Sequence, residues 1–548
     1  MSPLLRFLGL LLFASAGRQT IGQVRRQIEA QRHQLARRDV NPALLYPAHN
    51  FSTPIDHFHN ETKYEPHSNG TYPMRYWYDA SYYKPGGPVI VLQCGEGDAS
   101  ARLPILQKGI LAQLIQATNG IGVVMEHRYY GTSFPTPDLS TESLRFLTTE
   151  QALADAAYFA RHVEFAGLEK YGDLTSNTTA YIGYGGSYSG AFNAFLRVQY
   201  PDVFWGTISS SGVTKAIYDY WQYFDAIARY QSPLCVATQQ TLTHIVDNIL
   251  IGEDGSNHTN SGFVTQLKSA FGLPNVTYNN DFADVLTRGL GLQALNWDPS
   301  ISNPEFYSYC ANISNTSVLY PSTKAISTTV SDLISEAGYT ANTSLVNQML
   351  NYVGYINLTA VASCAASNET QDQCFGNHNS TFYQQDDVTQ TWRSWPYQYC
   401  TQWGYLQTGS GVPANELPMV SRTIDLEYES IVCREAFGIH NPPNTNAINK
   451  YGGYNISYPR LAIVDGEWDP WRPATPHAFG YGAVDRPSTA SQPFMLIAGA
   501  VHHWDENGVF PNQTTSTLPP LPVADTQRME LIFVKEWMHE WKATSFSS

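Results

Sequence analysis

Charge is what this chain has least of. Only 14% of its 548 residues are charged, and acids outnumber bases 47 to 32, for a formal net charge of −15. Such a surface repels phosphate backbones and anionic lipid, which excludes nucleic acid and anionic membranes as partners. Long apolar runs are missing too; residues 7–13 form one that is too short to span a bilayer. Metal and cofactor signatures are absent. His127, His244 and His440 show no ligand spacing, and there is no H-E-x-x-H, no phosphate-cradling Gly-Lys loop and no dinucleotide fingerprint. We therefore expect neither metal nor cofactor. Internal repeats and low-complexity linkers are also lacking, and the length suits one large domain with an insertion, or two or three domains.

What is present at the N-terminus is a leader. Arg6, the apolar run and Ala14-Ser15-Ala16 read as a signal peptide over residues 1–16. Residues 17–38 are polar and arginine-rich and contain Arg37-Arg38, so they read equally as a pro-segment or as a plain polar arm. Fourteen Asn-X-Ser/Thr sequons follow, among them Asn50, Asn60, Asn69, Asn177, Asn257, Asn312 and Asn455. That density behind a leader points to a secretory protein carrying N-linked glycans. Secretion to the exterior is the first expectation, and an acidic vacuole or lysosome-like compartment the second. Six cysteines (Cys235, Cys310, Cys364, Cys374, Cys400 and Cys433) imply three disulfides, with the pairing open. Cys94, at the end of VIVLQC, reads as a buried free thiol.

Short apolar runs at 88–93, 121–126, 181–184, 206–211, 460–465 and 494–499 predict buried strands. Helical stretches at 149–165, with a capping-box start from Thr148 to Gln151, and at 524–541 lie around them. Strands alternating with helices predict a parallel sheet covered on both faces. The middle, 213–440, is rich in Asn, Ser, Thr, Tyr, cysteine and sequons, with helical pieces but few strand signals. It reads as a helical, disulfide-linked cap inserted between two parts of a sheet domain, 39–212 and 441–548.

The chemistry starts at YIGYGGSYSG, residues 181–190. An apolar strand, glycines, Ser187 and then a helix-compatible stretch is the layout of a nucleophile elbow. Ser189 is the competing serine, and the alternative reading is a glycine-rich turn with a surface serine. A serine hydroxyl needs a base and an orienting acid. Two later segments can supply them in the order Ser, Asp, His. Asp469 sits at a strand end, with Asp465 and Glu467 as nearby alternatives. His502 or His503 follows the apolar run FMLIAGA. The GEGD segment after Cys94 places Gly95 and Glu96 where a loop N–H can join the Tyr188 N–H in an oxyanion hole. Its plain alternative is an acidic turn, and the Glu96 side chain is also suited to a substrate amine, or to a carboxylate when protonated.

Taken together, FSTPIDHF (51–58), CGEGD (94–98), EHRYYGTSFP (126–135), LTTEQALADAAYF (147–159), GGSYSG (185–190), YGGYNIS (451–457), GEWDPW (466–471) and HHWD (502–505) resemble one family. It is the serine peptidase family of lysosomal Pro-Xaa carboxypeptidase, dipeptidyl peptidase II and the fungal acid prolyl endopeptidases. The resemblance implies an α/β-hydrolase fold with an inserted, mainly helical cap, and cleavage on the C-terminal side of proline. It implies Ser187 as nucleophile, Asp469 as orienting acid, His502 as base, and an aromatic proline pocket that includes Trp471. Length, acidity and leader look most like the fungal acid enzymes. The expectation is thus a secreted serine peptidase acting on proline-containing peptides at acid pH, endopeptidase first, with a Pro-Xaa carboxypeptidase or a dipeptidyl or tripeptidyl exopeptidase as alternatives. An esterase on the same fold, or a non-catalytic hydrolase-fold binding glycoprotein, are the readings of other classes. Departures from the family pattern are Ser189 for a glycine, Arg-Pro-Ala-Thr-Pro after DPW, the extra Val501, and Gln402 where a cap motif usually carries Glu.

Overall fold

The computed structural model describes residues 42–252 and 261–545. The expected leader (1–16), the candidate pro-segment (17–38) and the Asn257 sequon lie outside the described residues. Among the described residues ten strands are formed: β1 His49–Pro54, β2 Thr71–Asp79, β3 Val89–Gln93, β4 Ile121–Met125, β5 Tyr181–Gly186, β6 Gly206–Ser210, β7 Ile217–Asp219, β8 Gly404–Leu406, β9 Leu461–Gly466 and β10 Phe494–Ile497. Eight make one sheet in the order β1-β2-β4-β3-β5-β6-β9-β10. All six expected strands are there, and from β4 to β10 the sheet is parallel. Reading composition alone left out β1 and β2, which add an antiparallel edge.

The parallel strands are apolar on both sides because both sides are covered. Along β3, Val89 and Val91 face one core while Ile90 and Leu92 face the other, the period of two that a pleated strand imposes. The first core includes Ala156, Phe159, Phe195 and Leu196 from α2 (Thr149–His162) and α3 (Tyr188–Gln199). The second takes Leu111 and Leu114 from α1 (Ile110–Thr118), and Phe533, Val534 and Trp537 from the C-terminal helix, Leu521–Ser545. This strand order, with a serine turn after the fifth strand, is that of an α/β-hydrolase sheet.

Between β6 and β9 the chain is mainly helical, and it carries the three disulfides Cys235–Cys310, Cys364–Cys374 and Cys400–Cys433. Cys94 is free and buried. The small parallel pair β7–β8 is the strand content that composition did not announce there. The start of α2 differs in one detail from the sequence expectation. Thr148 caps it by accepting the Gln151 N–H, but the Gln151 side chain turns away to donate to Asp56, so the reciprocal half of the capping box is not made.

Candidate active site

The serine turn is built by close packing. Ser187 sits between β5 and α3 at φ 61°, ψ −127°, a strained conformation for a residue with a side chain. Its N–H donates to the Ser210 carbonyl of β6 at 2.9 Å. The flanking glycines leave no room for more. A Cβ at Gly185 would lie 2.3 Å from the Ser189 carbonyl oxygen, and one at Gly190 would lie 2.6 Å from that of Ser210. Ser189, which stands where relatives commonly have glycine, donates its hydroxyl to the Gly186 carbonyl at 2.7 Å. That hydroxyl is therefore engaged, whereas no hydrogen bond is made by the Ser187 hydroxyl.

Asp469 follows β9 and is fully buried. Its Oδ2 lies 2.8 Å from His502 Nδ1, and its Oδ1 accepts the Trp471 N–H at 2.9 Å. A carboxylate held on both oxygens fixes the imidazole tautomer with Nδ1 protonated, leaving Nε2 as the basic atom. His502 Nε2 is buried and makes no hydrogen bond among the described residues, the contact with Ser187 included. The two alternative acids are engaged elsewhere: Asp465 with His477 at 2.7 Å, and Glu467 with the Gly499 N–H at 2.8 Å. His503 adopts φ 36° and packs beneath the serine turn, where a Cβ on Gly186 would meet its ring at 3.0 Å. It pairs with Glu506 at 2.8 Å, which Arg102 meets at 2.7 Å. Burial pushes the His502 imidazole below its usual value; Asp469 pulls the other way, and charge on His503 adds to the depression.

The loop after β3 lies against this turn. Gly95, at φ 67°, comes so close that a Cβ there would be 3.4 Å from Ser189 Oγ and 3.7 Å from the Tyr188 ring. Tyr188 opens α3, where backbone N–H groups lack intrahelical acceptors. Glu126 anchors the loop from below. Fully buried, it accepts from the Ala99 N–H at 3.1 Å, the Ser133 hydroxyl at 2.7 Å and Arg75, and Arg75 also reaches Asp98 at 2.7 Å. This role of the EHRYYG run was not read from the sequence; an acid ending an apolar strand was the available signal. The Tyr188 phenol is held by His127 Nε2 and by the cap residue Gln398, each at 2.9 Å. Glu96 is half-buried, and burial raises its carboxyl above the usual range, with Arg102 and His503 among the charges it senses.

Trp471 is 1% exposed. It stacks on Tyr220 at 5.2 Å, meets Tyr223 and Tyr405 edge-on, and donates Nε1–H to Gln293 of the cap at 2.8 Å. It is a packed member of an aromatic cluster rather than an open surface. Among the described residues one group has metal-binding geometry, Asp56, His59 and His67, and none of these belongs to the segments that carry the serine, acid or histidine. No described helix is long and apolar enough to cross a membrane.

Comparison with known proteins bears on this geometry. The chain is 51% identical over 521 residues to the "Probable extracellular serine carboxypeptidase" of Arthroderma benhamiae, covering 94% of this chain and 71% of that protein. It is 29% identical to the serine protease vicPb of Bipolaris victoriae, covering 85% of each. It is 24% identical to the human lysosomal Pro-X carboxypeptidase, covering 91% and 89%. Among solved structures, the Mycobacterium smegmatis proline iminopeptidase aligns over 90% of this chain and 99% of its own, at 13% identity and a TM-score of 0.35. The family described as serine carboxypeptidase S28 matches residues 53–518. That span takes in the serine turn, the acid and both histidines, and the chain is a serine peptidase belonging to this family.

Proposed function

We propose that this protein is a secreted peptidase that cleaves on the C-terminal side of proline through a Ser187 acyl-enzyme. The observation that carries the reading is the buried Asp469–His502 pair with Nε2 left free, beside a serine turn whose second hydroxyl is already engaged. Ser187 Oγ attacks the carbonyl of the proline residue while His502 Nε2 takes its proton. The Tyr188 N–H and an N–H of the Gly95–Glu96 loop hold the oxyanion. His502 returns the proton to the leaving amine, and water then releases the acyl group by the same route. Release to the exterior is supported by the leader and sequons, and by the description of the Arthroderma relative.

Of the modes, removal of a C-terminal residue is favoured over cutting within chains. Two of the departures from the family pattern, Gln402 and the Arg472 that follows DPW, have side chains spent on packing. Gln402 accepts the Thr149 N–H at 3.1 Å, and Arg472 is tied to the His477 and Glu467 carbonyls. The half-buried Glu96 carboxyl, which burial keeps protonated further up the pH scale, is suited to donate to a substrate carboxylate. The names of the relatives point the same way. Acid working pH is supported by the lowered His502, which stays neutral, and so basic, further into acid than an ordinary imidazole.

The test uses three proline peptides at pH 4 to 5: blocked at both ends, free only at the C-terminus, and free only at the N-terminus. Rapid cleavage of the second alone is expected. Equal cleavage of the doubly blocked peptide would make this an endopeptidase, and ester turnover without any peptide cleavage would overturn the peptidase reading.

A further inference from the structure

The loop between β1 and β2 has no part in the proposed reaction, yet it gathers three metal-ligand side chains. Asp56 is buried and rigid. Its Oδ1 accepts the Phe58 N–H at 2.9 Å and Gln151 Nε2 at 2.7 Å. Its Oδ2 is turned to His67, whose Nδ1 lies 2.7 Å away. The exposed His59 brings its ring to 5.3 Å from that of His67, centroid to centroid. One oxygen of Asp56 and one ring nitrogen of each histidine all lie within 4.8 Å of one another, the one such group among the described residues. On the far side of His67, Nε2 is 4.0 Å from Glu65 Oε1.

We propose that Asp56, His59 and His67 form a binding site for a divalent transition ion of the Zn²⁺ type. Two imidazoles and one carboxylate, with a fourth position left to water, make a borderline donor set that suits Zn²⁺ and disfavours Mg²⁺ or Ca²⁺. The ion takes the place of the proton between His67 Nδ1 and Asp56 Oδ2. The ring then carries its proton on Nε2, on the side where the Glu65 carboxylate lies 4.0 Å away. A carboxylate behind a ligating histidine fixes the tautomer and orients the ring. Asp56 needs no reorganisation, because Gln151 of α2 and the Phe58 N–H already hold it. The ion would tie the two ends of the β1–β2 loop to each other beside α2, a structural clip rather than part of the reaction. The site stands or falls independently of the peptidase reading.

The experiment uses the secreted, glycosylated full chain, stripped with EDTA, dialysed at pH 7.5 and titrated with ZnCl₂ alone by calorimetry. One Zn²⁺ per chain is expected, with a rise in Tm on the order of 3 °C at a hundredfold excess over Kd. H59A changes an exposed side chain, and is expected to weaken binding at least tenfold while leaving peptidase activity intact. H67A is expected to do the same, and H162A, on the exposed end of α2, to bind as wild type. No saturable Zn²⁺ binding, or binding that survives both H59A and H67A, overturns the proposal.

Discussion

Ser187 and Ser189 are two positions apart and differ in what their hydroxyls touch. Ser189 is bonded to the Gly186 carbonyl, and Ser187 is held at a strained φ with its hydroxyl unspent. Ser187→Ala is expected to lower kcat by about 10⁴-fold or more and to abolish labelling by a fluorophosphonate. Ser189→Ala should still label, with a stability loss of about 1 kcal/mol for the missing hydrogen bond. Glu96 is the residue on which the proposed C-terminal preference turns. Its carboxyl is raised by burial, so the protonated form persists to higher pH than for an ordinary Glu. For peptides with a free C-terminus, KM is expected to climb as pH rises through that shifted value. In Glu96→Gln, which keeps a donor at all pH values, the climb should vanish. KM profiles of free and amidated peptides check this; identical profiles in wild type and variant would remove Glu96 from substrate recognition. At this scale the sequence was legible where backbone geometry demands glycine, as around Ser187. It was not legible for the acid. Asp465, Glu467 and Asp469 are alike in composition and spacing, and family resemblance selected among them. The structure shows the physical difference, since only Asp469 meets His502.

Elements were readable in proportion to how completely they are buried. Five of the six parallel strands announce themselves as apolar runs because both faces are covered, and the sixth, β10 at the far edge, keeps an apolar run although Leu496 is exposed. β1 and β2 lie at the edge, mix exposed polar positions with buried ones, and do not stand out by composition. The C-terminal helix was recognised as amphipathic, but its connection to the site was not. It carries Glu530, fully buried and close to Asp505, in the turn that also carries His502 and His503. Asp505 accepts from the Tyr184 hydroxyl at 2.6 Å and the Ser210 hydroxyl at 2.5 Å. Burial, and then Asp505, push the Glu530 carboxyl well above its usual range, and burial raises Asp505 as well. A carboxyl whose pKa rises on folding stabilises fully below its unfolded value, near ~4.3, and loses that contribution as pH climbs through the folded value. Glu506 has the opposite sign. Burial alone would raise it, but Arg102 and His503 bring it down to about 2, so its contribution is lost as pH falls from the unfolded value towards that one. Thermal unfolding between pH 4 and 8 is expected to show wild-type Tm falling on the alkaline side. Glu530→Gln should flatten that fall with little change at pH 4. A wild-type Tm that rises steadily to pH 8 would contradict the assignment.

On the scale of the whole molecule, the helical cap and the sheet domain are joined by side chains as well as by the chain. Gln293 meets Trp471, Gln398 meets Tyr188, and Gln402 meets the N-terminus of α2. The disulfides brace the cap itself, over very different spans. Cys235–Cys310 closes 75 residues and Cys364–Cys374 only 10. Loop-closure entropy makes the first worth about 4 kcal/mol and the second about 3 kcal/mol. Replacing each pair by Ser, and measuring the denaturation midpoint, should therefore show the larger loss for Cys235–Cys310. The sequon residues Asn50, Asn60, Asn69, Asn177 and Asn455 are exposed, and Asn312 is partly so.

The insertion also sets an order in time. Ser187 and Asp469 are 282 positions apart, and the base comes later still. A ribosome delivers the Ser187 turn early, then the entire cap, and the segments of Asp469 and His502 only after it. Every nascent chain stopped short of His502 thus carries the serine without the imidazole that the proposed mechanism needs to deprotonate it. On that mechanism the cell making this peptidase is spared digestion from within until His502 has been added, by nothing more than the sequence in which the parts are made.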